Sequence, residues 1–380
     1  MHVLVSSLNA AAWLPAALAA RPGLTVSALH AARVDLGDFG FSTAEPRPDA
    51  PYALHTLPVF PLRPYPYSRY THGLAALLTR LAPDIIYHIG EPSELSTAQL
   101  VRTARRVCPR AKIVLFSFEN VTRRWPGFPK VLRGRAERFV LPRVDLFAAC
   151  TETAAAALAR SGVDPARIRV VYAGSDPEVF APRPDAALRA RLCPPDGFLI
   201  GYVGRLVPEK GVDVLLRALA RLPAGCRLAL IGAGRSEPDL RALADELNVA
   251  DRVQWLGRVA HDALPQHLSA FDALVLPSRS IPSWQEQWGA VLVEAMLCGT
   301  PVVGSSSGAI PEVIGAAGLI FPENDAAALA ERLATLRGDP ALREALARQG
   351  RERALREFTI AAHIARLVAL FEGLSGNQEK

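Results

Sequence analysis

The chain has 380 residues, of which 50% are hydrophobic and 21% are charged, and its net charge is +6. This length accommodates two domains of ordinary size, and the composition suits a soluble globular protein. Beyond residue 20, no segment reaches the roughly 18 uncharged apolar residues that a membrane span needs. The five cysteines lack any Cys-x-x-Cys pair, which argues against a zinc site or a disulfide framework and favours free thiols in a cytoplasmic protein.

The predicted elements alternate between strand and helix from the first residues onward. The uncharged stretch 1–20 has no basic segment before its apolar part, so a strand at 2–7 and a helix near Pro15 are favoured over a secretory signal. The proline-dense stretch 46–66 is predicted to form a long loop or an excursion at the edge of the sheet. Further strands are predicted near 24–30, 55–60, 84–90, 111–118, 146–150 and 168–173. Further helices are predicted near 68–81, 93–107, 130–141 and 152–161.

The pattern breaks over 173–184, where glycine and proline indicate an interdomain linker, and it starts again at Phe198. The second series of strands is predicted near 198–205, 226–232, 252–257, 273–277, 301–304 and 318–321. Its helices are predicted near 211–222, 237–248, 262–270, 289–298, 325–337, 340–357 and 360–374. Because the strands are almost continuously apolar, the sequence predicts an α/β protein whose parallel sheets are covered on both faces.

Two carboxylates, Glu286 and Glu294, stand eight positions apart, and Gly289 lies where a loop turns into a helix. A helix start offers free backbone N–H groups to a phosphate, and a carboxylate further along can accept from ribose hydroxyls. The spacing therefore predicts a nucleotide-diphosphate site, with Glu286 beside the group that the diphosphate carries.

A second cluster follows the strand at 198–205, where Arg205 and Lys210 occupy one strand-to-helix loop. Loops at the carboxyl ends of parallel strands are where α/β sheets bind ligands. The chain contains 39 arginines but only 4 lysines, so a lysine here indicates a need for a compact ammonium close to a phosphate. The alternative is a solvated loop in which Glu209 pairs with these cations.

Gly204-Arg205, Glu209-Lys210-Gly211 and the later Glu-x7-Glu together resemble the retaining glycosyltransferases of family 4, the group 1 glycosyltransferases. The resemblance implies a GT-B fold, with two Rossmann-like doubly wound domains facing each other across a cleft. The acceptor-binding domain would span 1–180 with a crossover helix at about 358–375, and the donor domain would span 181–357. The resemblance assigns nucleotide-sugar binding to Glu294 and also to Gly204, Arg258, Val259, Gln287, Trp288, Gly289, Ala290 and Val291.

The resemblance also implies transfer of a sugar, of the hexosyltransferase type, with retention of configuration. Arg205, Lys210 and Glu286 are the predicted catalytic groups on the donor side. Since the chain has no Asp-x-Asp pair, these cations and the helix start would stabilise the leaving diphosphate without a metal, and no cofactor is expected. The acceptor would be a polysaccharide, a glycolipid or a small molecule.

On the acceptor side, two strand ends carry the candidate residues. His88 and Glu91 follow one strand and Glu119 and Asn120 follow the next. His88, Glu91 and Asn120 are predicted to bind the acceptor, and Glu119, which stands where relatives often have a histidine, is predicted to be catalytic. Relatives also often have paired glycines after the first strand, whereas here the loop reads Ser6-Ser7-Leu8-Asn9-Ala10. For His88, Glu91 and Glu119, a hydrogen-bonded structural role remains the alternative.

The stretch 123–143 holds seven basic residues, one acid and three aromatic rings. It predicts a peripheral contact with an anionic membrane at its inner face, and the alternative is a solvated helix packed through Val131, Leu132, Phe139 and Val140. No nucleic-acid-binding motif accompanies the charge. Two other functions stay open: a GT-B nucleotide-sugar epimerase and a non-catalytic nucleotide-sugar-binding protein. A dehydrogenase is disfavoured because no complete Gly-x-Gly-x-x-Gly follows either first strand.

Overall fold

The computed structural model describes residues 1–8, 13–35, 41–43, 49–61, 64–123 and 127–375. The chain forms two compact units, which are described separately. The first unit comprises Met1–Tyr172 and the segment from His363 onward, and the second comprises Ala173–Ala362. The sequence predicts the first boundary between residues 180 and 181 and the second at about residue 358, whereas the structure has them at 172/173 and 362/363.

The described strands of the first unit are β1 (His2–Ser7), β2 (Thr25–Ala31), β3 (Arg33–Asp35), β4 (Phe41–Thr43), β5 (Ala53–Leu57), β6 (Val59–Phe60), β7 (Arg69–Tyr70), β8 (Ile85–Ile89), β9 (Lys112–Ser117), β10 (Leu146–Ala149) and β11 (Ile168–Val170). Seven of them form one parallel sheet in the order β11-β10-β9-β8-β1-β2-β5, and β3 pairs with β4 and β6 with β7 outside it. Its helices before residue 173 are α1 (Trp13–Ala19), α2 (Leu74–Leu81), α3 (Leu95–Val107), α4 (Lys130–Val140) and α5 (Glu152–Arg160). The predicted α/β class is confirmed.

The strands of this sheet are apolar along most of their length because helices cover both faces. Leu4, Ile86 and Leu115 are fully buried in one cluster, where they pack with helix residues such as Leu78 and Leu100. Strand order reverses between β1 and β8, which pair in parallel with Ser6 level with His88. Ligands of doubly wound sheets bind beyond the carboxyl ends of the strands at such a reversal.

Two predicted elements of this unit differ from the structure. The strand predicted at 55–60 is split at Pro58 into β5 and β6, because proline cannot donate to a strand ladder. The helix predicted at 68–81 begins only at Leu74, after Gly73 at φ 83°, and residues 69–70 instead form β7 against β6. The proline-dense segment contains β5, which is the edge strand of the sheet, and the short strand β6, in agreement with an excursion at the sheet edge.

The strands of the second unit are β12 (Phe198–Val203), β13 (Cys226–Ile231), β14 (Val253–Gly257), β15 (Ala273–Leu276), β16 (Val302–Ser305) and β17 (Leu319–Phe321). They form a parallel sheet in the order β14-β13-β12-β15-β16-β17, so this unit repeats the architecture. Its helices are α6 (Ala186–Leu192), α7 (Val212–Leu219), α8 (Glu237–Glu246), α9 (Leu264–Ala270), α10 (Ala290–Leu297), α11 (Ile310–Ile314), α12 (Ala326–Gly338) and α13 (Pro340–Glu357). The last helix, α14 (Ile360–Ser375), belongs to the first unit from His363 onward. The sequence did not predict α6, which directly follows the predicted linker.

The core of the second unit is formed where strands and helices bury their apolar sides. Ile200, Val275 and Val303 from the sheet pack with Leu215 and Leu333 from the helices, and all of them are fully buried. Strand order reverses between β12 and β15, so the loops that follow these two strands start side by side. Within the described residues, no helix is long and apolar enough to cross a membrane.

Candidate functional site

The candidate donor site of the second unit lies at the reversal of its sheet. The chain leaves β12 at Val203 and reaches a 3-10 turn at Pro208–Lys210, directly before α7. The neighbouring strand β15 ends at Leu276, two residues before Ser278. Lys210 and Ser278 therefore come from the two loops that flank the strand reversal, which is the expected position of a ligand site.

Lys210 and Glu286 form an ion pair at this position. Lys210 Nζ lies 2.6 Å from Glu286 Oε2, and the Ser278 hydroxyl donates to the same oxygen at 2.6 Å. The two charged side chains are only 14% and 8% exposed. The Lys210 ammonium also lies 4.9 Å from the centroid of the Trp284 ring. The pair is thus shielded from water on several sides, which strengthens its electrostatic interaction.

The backbone of Glu286 is fixed by the loop after β16. The N–H of Ala309 donates to the carbonyl oxygen of Glu286 at 2.9 Å. Gly308 has φ +50°, and a Cβ atom there would stand 2.1 Å from the same carbonyl oxygen. Only glycine fits this contact, so the loop and the carboxylate residue are positioned together.

Helix α10 begins immediately after Gly289, whose φ of 70° ends the loop. The N–H groups of Ala290 and Val291 are in the first turn, where they have no partner within the helix and can bind an anion. Glu294 lies in the same helix, and burial raises its pKa to about 7. None of the described residues forms a hydrogen bond or an ion pair with the Glu294 carboxylate.

Arg205 lies in the loop between β12 and the 3-10 turn. The Tyr202 hydroxyl donates to the Arg205 carbonyl oxygen at 2.7 Å and so fixes this turn. The Arg205 side chain is 30% exposed, and its guanidinium lies 3.9 Å from the Glu209 carboxylate. The Arg235 guanidinium lies 3.9 Å from the other oxygen of the same carboxylate. The Arg205 side chain is therefore partly exposed and lies in a charged part of this loop.

The other predicted donor residues differ in their accessibility. Arg258 is exposed and Val259 is half-buried directly after β14, and Gln287 is half-buried. Trp288 is buried, and its ring packs edge-on against Phe358 with centroids 5.1 Å apart. The Trp288 ring therefore contributes to the packing of this unit, and only its backbone lies in the segment that leads into α10.

In the first unit, His88 and Glu91 already have protein partners. His88 is 1% exposed, and its ring nitrogens lie 3.0 Å from the Ser6 carbonyl oxygen and 3.0 Å from Thr97 Oγ1. Burial lowers the pKa of His88 to about 4, so the ring is neutral at pH 7. These contacts fit the structural role that the sequence left open for His88.

The Glu91 carboxylate accepts from the Ser117 hydroxyl at 2.5 Å and from the N–H groups of Phe118 and Glu119 at 2.9 and 3.1 Å. It thereby fixes the turn that follows β9. Burial, with a contribution from the neighbouring Glu119 carboxylate, raises the pKa of Glu91 to about 8. Glu91 therefore supports the segment that carries Glu119.

The Glu119 carboxylate forms an ion pair with Arg123 at 2.7 Å. Burial raises the pKa of Glu119, and the nearby Arg123 opposes this shift. Asn120 is 1% exposed and so lies below the surface of this strand end. Of the predicted acceptor residues, Glu119 is thus the one whose carboxylate is partly accessible and not committed to the backbone.

The basic stretch 123–143 divides between two roles in the structure, apart from residues 124–126, which lie outside the described residues. Arg133 points inward and donates to the Ser93 hydroxyl at 2.7 Å, whereas Arg135 and Arg138 are exposed on α4. The helix buries Ala136 and Val140. Arg133 therefore contacts the segment that leads into α3 and is not part of the exposed basic surface.

The sequence analysis did not identify Ser278 and Trp284. Ser278 follows a buried strand that the sequence predicts correctly, so its position at a strand end was an available signal. Trp284 lies over Lys210 because the backbones of Ile281 and Trp284 pair in a tight turn, which no local pattern predicts. No group of three metal-ligating side chains occurs in the described ranges.

Comparison with solved structures identifies the class of this architecture. The chain superimposes with a TM-score of 0.76 on sucrose-phosphate synthase (tll1590) from Thermosynechococcus elongatus, with 22% identity over 99% of this chain and 100% of that one. The complex of Anabaena Alr3699/HepE with UDP also gives 0.76, with 21% identity over 98% of this chain and 100% of that one. These similarities confirm the predicted GT-B class, with two Rossmann-like units.

Sequence comparison then identifies the family. "Glycosyl transferases group 1" matches residues 187–353, and "Glycosyltransferase Family 4" matches residues 24–179. The chain belongs to the group 1 glycosyltransferases, as its motifs predict. The D-inositol 3-phosphate glycosyltransferases of Mycobacterium tuberculosis and Mycobacterium bovis are 38% identical to it over 190 residues. That match covers 48% of this chain and only 38% of the length of these relatives.

Proposed function

We propose that this protein transfers a sugar from a nucleotide-diphosphate sugar to an acceptor, as a hexosyltransferase that retains the anomeric configuration. The observation that carries the proposal is the ion pair between Lys210 and Glu286, positioned by Ser278 beside the start of α10. This arrangement joins a cation for the diphosphate to a carboxylate for the sugar. The UDP and UDP-glucose complexes of Anabaena HepE support this class of donor.

Each part of the donor would be bound by a different group of the site. The diphosphate oxygens would accept from Lys210, Arg205 and the first N–H groups of α10, and the ribose hydroxyls would donate to the Glu294 carboxylate. The base would lie against the backbone at Arg258 and Val259. Glu286 would then exchange part of its contact with Lys210 for the hydroxyls of the sugar ring.

The reaction breaks the bond between the anomeric carbon and the diphosphate oxygen, and the electron pair leaves with the diphosphate. An acceptor oxygen forms the new bond on the same face of the sugar, and its proton passes to the leaving phosphate. Lys210, Arg205 and the helix start stabilise the growing negative charge, since preorganised donors are effective there. The site holds these cations within the protein, which supports transfer without a divalent metal.

The first unit would bind the acceptor, with Glu119 as the group that contacts it. Glu91 would act through Glu119 by fixing the turn after β9. The mycobacterial relatives are named for an inositol phosphate acceptor, and the cationic Arg123 beside Glu119 is compatible with a phosphorylated acceptor. A polysaccharide, a glycolipid and a small molecule all remain in the panel to be tested.

The test begins with a panel of nucleotide sugars screened for thermal stabilisation, followed by assays with lipid-linked and soluble acceptors. Lys210→Ala should lower turnover about 10²–10³-fold, as expected for one lost donor to a developing charge. A variant within a few-fold of the parent would contradict the role of Lys210. Interconversion of donor sugars without acceptor would instead indicate an epimerase, and donor binding without any turnover would indicate a binding protein.

A further inference from the structure

A pocket of about 850 Å³ lies in the first unit, between the β6–β7 hairpin and helices α3 and α4. Its walls combine aromatic and aliphatic groups with three guanidinium groups. The aromatic members are Phe60, Tyr67, Tyr70 and Phe139. The arginines are Arg69 on the hairpin, Arg102 on α3 and Arg135 on α4.

The charge of this pocket is not neutralised within the described part of the chain. No ion pair or hydrogen bond joins Arg69, Arg102 or Arg135 to any described residue, and none of the lining residues is acidic. All three arginines are exposed. Three positively charged side chains around one concavity attract an anion, because their electrostatic fields add there.

The apolar part of the pocket is arranged beside these cations. On α4, Leu132, Ala136 and Phe139 line it at helical spacing, so they share one face of the helix with Arg135. On the hairpin, Phe60 pairs directly with Arg69 and is 69% exposed. An exposed aromatic ring next to a guanidinium is typical of surfaces that insert between lipid headgroups and acyl chains.

Strand β7 is hydrogen-bonded to a side chain of α3. The side-chain amide of Gln99 accepts from the Tyr70 N–H at 2.8 Å and donates to the Tyr70 carbonyl oxygen at 2.7 Å. These two bonds reproduce the pairing of a neighbouring strand and keep Phe60 and Arg69 beside the helices. The pocket is therefore a formed concavity rather than a gap under a loose loop.

We infer that this pocket docks the protein on anionic membranes by binding the phosphate headgroup of a phospholipid, with Phe60 inserted beside the first part of the acyl chains. The occupant has to be both anionic and apolar, because the arginines and the apolar faces of the hairpin and α4 surround the same space. Phe128, two residues before α4, is a further exposed aromatic residue of this unit, with 83% of its surface accessible. The inference is independent of the donor site, since every residue that carries it belongs to the first unit.

The test uses the full chain and vesicles of phosphatidylcholine with or without 30% phosphatidylglycerol, at low salt, read by co-sedimentation. The parent should bind only the anionic vesicles. The triple variant Arg69→Gln, Arg102→Gln, Arg135→Gln should bind them on the order of 100-fold more weakly, since each basic side chain near such a surface contributes about fivefold. Phe60→Ser should weaken binding at high salt more than at low salt, because it removes the uncharged contribution.

A matched control removes the same charge elsewhere on this unit. Arg80, Arg106 and Arg110 are exposed and do not line the pocket, and their replacement by glutamine should leave vesicle binding within threefold of the parent. Equal losses in both triple variants would overturn the inference in favour of simple net charge. A parent that ignores anionic vesicles at low salt would overturn it outright.

Two competitors distinguish the source of the anion. Dihexanoyl phosphatidylglycerol, below its micelle concentration, should displace the protein from vesicles, whereas inorganic phosphate at the same concentration should not. Equal displacement by inorganic phosphate would assign the pocket to a soluble phosphate compound instead. Tight binding of a single-stranded oligonucleotide that the pocket variant loses would assign it to nucleic acid. UDP binding and the unfolding midpoint, measured on every variant, should stay at the parent values.

Discussion

Replacing Glu286 by glutamine should strengthen the binding of free UDP while turnover falls. In the structure, Lys210 Nζ is bonded to Glu286 Oε2 at 2.6 Å, and both side chains are nearly buried. A diphosphate that uses Lys210 must therefore compete with an anion that is already present. Glutamine keeps the shape and can still accept from Ser278, but it removes that competing charge.

The size of the effect follows from the kind of bond that is weakened. A hydrogen bond to a charged group contributes about 1.5–3 kcal/mol, against about 1 kcal/mol for a neutral one. Releasing Lys210 from the carboxylate should therefore favour the diphosphate by about 1 kcal/mol, which is roughly a fivefold lower Kd. Turnover should fall nonetheless, because the sugar loses its charged acceptor.

Titration calorimetry with UDP on the parent, Glu286→Gln and Glu294→Gln measures this contrast. Glu294→Gln should bind UDP more weakly, because the ribose hydroxyls lose a charged acceptor. Glu331→Gln, which removes a charge from the exposed face of α12, is the matched control and should bind like the parent. If Glu286→Gln loses tenfold or more of its UDP affinity, the reasoning is refuted and Glu286 belongs to the diphosphate rather than to the sugar.

Three further outcomes can be checked. Burial raises the pKa of Glu294 to about 7, so the folded protein holds this proton more tightly than the unfolded chain does. Between pH 4 and pH 8 the parent should therefore lose about 3 kcal/mol of unfolding free energy relative to Glu294→Gln. If the unfolding free energies of the two proteins change equally over this pH range, the prediction is contradicted. Gly308→Ala should destabilise the protein by at least about 2 kcal/mol and lower turnover, because the left-handed backbone and the contact with Glu286 exclude a Cβ atom. The control Gly338→Ala, whose added Cβ would meet no atom, should unfold like the parent. Sugar transfer should persist in EDTA, and loss of activity that Mg²⁺ or Mn²⁺ restores would contradict the metal-free assignment.

Most of the fold could be predicted because its strands and helices are long and regularly patterned. The strands β1, β8 and β9 are apolar runs bounded by turn residues, so their bounds follow from local sequence alone. The short strands β6 and β7 could not be predicted, since a two-residue strand exists only through its partner. The helix α2 begins later than predicted for a similar reason. Arg69 and Tyr70, which were predicted to be helical, instead pair with β6 as a strand.

The donor site was predictable to the extent that its residues are unusual in this sequence. A lysine among arginines and two carboxylates around Gly289 stand out without any structure. The direct bond between Lys210 and Glu286 did not follow, because it joins residues that are 76 positions apart. The burial of Trp288 against Phe358 could not be predicted either, because it depends on where the end of α13 lies in the fold.

The scarcity of lysine gives the ion pair a spectroscopic consequence. Lys210 is the single lysine between residues 173 and 362, and the others in the chain are at 112, 130 and 380. Selective isotope labelling of lysine side chains would therefore yield one ammonium signal from the whole second unit. Since that ammonium is shielded and bonded to a carboxylate, its protons exchange slowly with water compared with those of exposed lysines. The unit thus contains a natural single-site reporter whose resonance records when Lys210 exchanges Glu286 for a phosphate.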